Sequence, residues 1–126
     1  MTKQEFLRRV QERLGLTDIR EAETATKVVL AATADRIRRE EALDLASQLP
    51  RDLGNLVRSR RGPLQKMDPD TFIQRIQGDL DVTTFQQALA ITRGVFSVLK
   101  EAVTPGEWED VASQLPKELQ EEFVRA

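Results

Sequence analysis

Four groups of residues carry the chemistry this sequence can offer: two serines in a repeated setting, three acidic pairs, a band of arginines and one tryptophan. Ser47 and Ser113 each sit in the run Ala-Ser-Gln-Leu-Pro. A serine becomes a nucleophile when a neighbouring base takes its proton, and the chain contains no His, Cys or Tyr. Neither serine has the strand-turn-helix setting of a nucleophile elbow. A local hydrogen bond at a helix end is the expected role of both. The pairs Glu40-Glu41, Asp79/Asp81 and Glu121-Glu122 offer the oxygen ligands that hard divalent cations take. Di-iron bundles, however, add a Glu-x-x-His element to their inward glutamates, and His is absent. These acids are therefore read as solvated helix surface. The six scattered glycines form no phosphate-cradling loop. The expectation is a non-enzymatic protein without metal, cofactor or catalytic residues.

The arginines are unevenly distributed. Residues 1–66 carry 14 basic and 10 acidic side chains and residues 67–126 carry 5 and 11, so a net charge of −2 conceals halves of +4 and −6. Arg36, Arg38, Arg39, Arg51, Arg58, Arg60 and Arg61, with Lys66, are candidate contacts for an acidic protein partner, nucleic acid or a phosphate-bearing ligand. Packing of the two halves against each other would use the same charges without any partner. No aromatic residues alternate with these arginines, which counts against stacking on single strands. Glu40, Glu41, Asp44 and Asp52 likewise interrupt any basic recognition helix. Trp108, flanked by Glu107 and Glu109, either fills a groove between helices or anchors a partner; on the second reading it joins the candidate interaction surface.

The elements that must position these residues are helical and come in two sets. Sliding the chain by 66 residues lays Ala46–Pro50 on the identical Ala112–Pro116, and also matches Phe6 with Phe72, Leu14 with Leu80, Ala22 with Ala88, Val29 with Val95 and Leu53 with Leu119. Two tandem copies, 2–58 and 68–124, follow from this register, with 59–67 as a Gly-Pro-containing linker. In each copy Phe6, Leu7, Val10 and Leu14, or Phe72, Ile73, Ile76 and Leu80, mark one face of a first helix. Thr2 with Glu5, and Asp68 before Pro69, are start signals. Longer central helices are expected from Asp18 to about Ile37 and from Thr84 to about Val103. Third helices should cover Arg39–Gln48 and Pro105–Gln114, and Pro50 and Pro116 should open short fourth helices. Gly15 and Gly54 read as turn or helix-end residues. Period-two apolar runs are missing, so the fold class is an all-α helical bundle of about eight helices, built from two four-helix repeats with a pseudo-twofold relation.

At 126 residues, with 40% hydrophobic and 32% charged side chains, the chain is the size of one compact domain, 1–126, that folds without disulfides. No window approaches the roughly 18 apolar residues that cross a bilayer. The charged, periodic start lacks the apolar core of a secretory signal, and a cytoplasmic location without membrane contact is expected.

The motifs Phe6-Leu7-x-x-Val10-x-x-x-Leu14-Gly15-Leu16, Glu21-Ala22-Glu23 and Glu40-Glu41-Ala42-x-x-Leu45-Ala46-x-Gln48-Leu49-Pro50 resemble the bacterial family called domain of unknown function 2267. The second copy repeats the pattern more weakly, with Trp108 in place of Ala42. The resemblance implies a small helical bacterial protein without established activity, and it carries no catalytic residues. An unidentified protein partner or a homo-oligomer is the favoured function class. Nucleic-acid or phosphate-ligand binding by the basic first half is the alternative, and a small-ligand carrier or enzyme with a pocket between the repeats is a residual one.

Overall fold

The computed structural model describes residues 1–124, with side chains through residue 120. Among these residues the chain forms eight helices and no strands: α1 Lys3–Leu14, α2 Ile19–Arg36, α3 Arg39–Gln48, α4 Arg51–Ser59, α5 Pro69–Leu80, α6 Phe85–Ala102, α7 Pro105–Ala112 and α8 Lys117–Val124. The starts Lys3 and Pro69, Ile19 and Phe85, Arg39 and Pro105, and Arg51 and Lys117 are each 66 residues apart. Local chemistry fixes five of these starts. Thr2, Asp18, Asp68, Thr84 and Thr104 each accept a hydrogen bond from a first-turn amide, which satisfies a donor the helix itself leaves open. Thr84 and Gln87 complete a reciprocal capping box. The first helix of each half ends on a left-handed residue, Gly15 (φ 64°) and Asp81 (φ 55°). Glycine takes this conformation freely and aspartate with modest cost, so Asp81 is a helix terminator rather than half of an acidic site.

α1 packs on α2 and on α6, while α5 packs on α6 and on α2; α3 meets α4 and α7. Each half thus lays its first helix across the other half's central helix. One continuous apolar cluster runs through both halves, with Phe6, Val10, Leu30, Phe72, Ile76, Phe96 and Leu99 essentially inaccessible. Burying one such Phe or Leu side chain contributes roughly 1.5–3 kcal/mol relative to exposure.

Two glycines mark close approaches. A Cβ on Gly54 would stand 2.5 Å from the carbonyl oxygen of Ala46, so α4 crosses α3 backbone to backbone. The expectation of a turn or helix end at Gly54 is corrected: it lies inside α4, where only the missing side chain lets the two helices meet. Gly94 in α6 similarly receives the side chain of Leu14. α7 also stops two residues short of the expected Gln114, which places the Gln114 side chain beyond the helix and free to reach the opposite half.

Candidate functional site

Most of the first-half arginines are committed to the protein itself. Arg36 donates to the carbonyls of Met67 (3.1 Å) and Gln114 (2.8 Å), tying the end of α2 to the linker and to the end of α7. Arg39 donates to the carbonyls of Arg58 and Arg60, which closes the open end of α4. Arg60 forms a two-pronged bond to the Asp35 carboxylate at 3.1 and 2.6 Å, and Arg75 from α5 reaches the same carboxylate at 2.8 Å. Burial pushes the Asp35 carboxyl up, but the hydrogen bonds and charges of Arg60 and Arg75 outweigh it and hold it below its ordinary value. Arg9 and Arg13 on α1 meet Glu101 on α6 in the same manner. Opposite charges therefore do meet across the halves. Arg38, Arg51 and Arg61 remain on the exposed surface, and Arg58 is half-buried with a bond to Asn55.

Trp108 does not belong to an interaction surface. It is 2% exposed, edge-on to Phe96 with ring centroids 5.6 Å apart, and fills the space between α6 and α7. Ser47 and Ser113 bond the carbonyls of Asp44 and Asp110 in the last turns of their helices.

The repeated Gln-Leu-Pro has a specific structural use. The side-chain oxygen of Gln114 accepts from the backbone N–H of Arg38 (2.7 Å), the residue before α3, and that of Gln48 accepts from the N–H of Thr104 (2.8 Å), the residue before α7. Each glutamine thereby caps the third helix of the other half. A glutamate three positions into a helix ordinarily folds back onto that same N–H. Here the amide is taken, so Glu41 and Glu107, 66 residues apart and both in the first turn of their helices, are released to face each other across the α3–α7 contact.

Both glutamates are buried, at 8% and 7% exposure. The Gln114 amide donates to one Glu41 oxygen at 3.1 Å, whereas no N–H or hydroxyl donor reaches Glu41 Oε2 or Glu107 Oε1. A carboxylate oxygen from each, together with one from Asp110 a turn further along α7, converges to within 4.8 Å. Among the described residues no Lys or Arg pairs with any of the three. Burial first, then the hydrogen bond and charge of the adjacent Glu41, then the charges of Asp44 and Asp110 push the Glu107 carboxyl up to about 8. The reading of Glu40-Glu41 as solvated surface is corrected for Glu41, while Glu40 is exposed. Asp79 lies in solvent beside Arg75, and the side chains of Glu121 and Glu122 fall outside the described residues. Pairing by adjacency concealed the cluster. Pairing by the 66-residue register would have set Glu41 with Glu107 and Asp44 with Asp110.

A second feature lies where α1 and α2 meet α5 and α6. Leu14, Leu16, Ala25, Leu80, Val82 and Ile91 line an open apolar hollow of about 400 Å³, with Arg20, Glu21 and Thr24 at its edge. Leu14 and Leu80, Leu16 and Val82, and Ala25 and Ile91 are each 66 residues apart, so both halves contribute corresponding positions to the hollow.

No described helix is long and apolar enough to cross a membrane. No curated protein matches the chain. The family described as uncharacterized conserved protein (DUF2267) matches residues 3–122, nearly the whole sequence, and the chain belongs to that family.

Proposed function

We propose that this DUF2267 protein is a non-enzymatic binding module of the bacterial cytoplasm, built by tandem duplication of one four-helix unit and acting through protein–protein contact. The carrying observation is the apolar hollow, lined by five half-buried apolar side chains and the buried Ala25 from both halves. Self-association is the first case to test, since an isologous contact needs only one such patch per chain. The duplication reading draws support from the 66-residue register of helix starts and from the reciprocal glutamine caps. The bacterial setting rests on the family resemblance, and the cytoplasmic one on the highly charged composition.

Sedimentation velocity of the intact chain over a wide concentration range is the direct experiment. A dimer that dissociates in Leu16→Glu and Val82→Glu supports the reading. A monomer at every concentration, with no protein recovered in stoichiometric amount by affinity capture, contradicts it.

The volume of the hollow favours one second reading, a small apolar ligand, because about 400 Å³ falls within the roughly 300–1,000 Å³ of small-molecule pockets. Saturable binding of a fluorescent apolar probe, abolished by Ile91→Trp, would select that reading over self-association. Nucleic-acid binding is the weaker alternative, because Arg36, Arg39 and Arg60 are already bonded to carbonyls and a carboxylate of the protein itself. It predicts salt-dependent gel retardation that falls when Arg38, Arg51 and Arg61 are neutralised.

A further inference from the structure

We propose that Glu41, Glu107 and Asp110 form a binding site for a hard divalent cation of the magnesium, manganese or calcium class, seated between the first turns of α3 and α7.

Three observations carry the site. The first is convergence: one carboxylate oxygen from each residue lies within 4.8 Å of the others, the spacing of ligands around a common ion. The second is the state of the two glutamates, which are more than nine-tenths buried and each carry an oxygen that no N–H or hydroxyl donor reaches. A buried polar atom without a partner costs roughly 1–3 kcal/mol, and more when it is charged. The fold sustains this cost at two adjacent atoms. The third is the way the glutamates are held. Gln48 and Gln114 occupy the backbone amides that would otherwise bind them, and the Gln114 amide fixes the remaining Glu41 oxygen. This arrangement orients the carboxylates from outside the cluster, as outer hydrogen bonds do around metal ligands.

The charge balance points to a divalent ion. Three carboxylates converge here and no Lys or Arg among the described residues pairs with any of them. The open ends of α3 and α7 favour negative charge here, which makes the cluster tolerable without neutralising it. An ion of charge two would supply most of the missing compensation. The donor set is oxygen alone and the chain has neither His nor Cys, so softer metals have no ligands to prefer. Asp110 is exposed, which leaves a side through which the ion enters and keeps part of its water shell.

The probe is Mn²⁺ alone, titrated into the intact protein while the signal of free Mn²⁺ is followed by electron paramagnetic resonance. The expected result is one saturable site from which Mg²⁺ or Ca²⁺ displaces Mn²⁺. Glu107→Gln and Asp110→Asn should each weaken binding by roughly tenfold or more, whereas Asp79→Asn, at the exposed acid of α5, should leave it unchanged. Asp110 is on the surface, so its variant decides the matter even if Glu107→Gln were to disturb folding. No saturable binding at millimolar Mn²⁺, or equal affinity in the wild type and Asp110→Asn, overturns the site.

Discussion

Asp35 and the Glu41–Glu107 pair are buried to the same degree and handled in opposite ways. Asp35 is 8% exposed and receives two arginines, one from the linker and one from α5, so its charge is matched inside the protein. Glu41 and Glu107 are as buried and receive an amide on one oxygen and no cation from any described residue. Several first-half arginines that sequence composition offers to a partner are spent inside the protein: Arg36 on the carbonyls of Met67 and Gln114, Arg39 on those of Arg58 and Arg60, and Arg60 on Asp35. Where arginine is supplied, the acid is structural. Where it is withheld, the acid is left for something that comes from outside.

This contrast can be broken from either side. Asp35→Ala should have the largest effect, because it strands Arg60 and Arg75 and severs α2 from α5; a loss of about 2–3 kcal/mol is expected by urea unfolding, below the full cost of breaking a buried pair since both guanidiniums reach solvent. Glu107→Gln should act in the opposite direction. It removes a like charge and provides an amide that can donate to Glu41, so a gain of about 1–2 kcal/mol at mildly alkaline pH and without added cations is expected.

Stability against pH separates the two regions further. Glu107 holds its proton in the folded chain up to about 8, against an ordinary 4.5, so the folded state binds more protons than the unfolded one between these values. Stability should be fully present below about 4.5 and fall as pH rises toward 8, and Glu107→Gln should remove that slope. Asp35 has the reverse sign: its depressed pKa makes its contribution present above the ordinary 3.8 and lost as pH falls below it. Thermal melts across pH, in wild type and both variants, check the two limbs independently.

The smallest effects should come from the glutamines. Gln114→Ala removes bonds to both Arg38 and Glu41 and should cost about 1–2 kcal/mol, while Gln48→Ala removes the single bond to Thr104 and should cost about 0.5–1 kcal/mol in the same unfolding assay. Equal losses would mean that the Gln114 contact with Glu41 adds nothing.

Helix identity and order were legible in the sequence, because capping residues, prolines and the spacing of Phe6, Val10, Phe72 and Ile76 act locally. Gly54 was misjudged because its reason is the backbone of α3, which no local pattern reveals. Trp108 was undecided because its neighbour Phe96 comes from another helix. The acidic cluster was missed for a comparable reason. Adjacent acids such as Glu40 and Glu41 point to different sides of a helix, whereas Glu41 and Glu107 meet only once α3 has found α7. The arginines looked available because sequence counts charges without showing which carbonyls and carboxylates they meet.

Anomalous diffraction from crystals of the intact protein grown with Mn²⁺ tests most directly whether the uncompensated carboxylates serve an outside charge. The account predicts an anomalous peak bounded by Glu41, Glu107 and Asp110, with the Gln114 amide still on Glu41. A map with no anomalous peak there, at a manganese concentration that saturates other sites in the crystal, would contradict it.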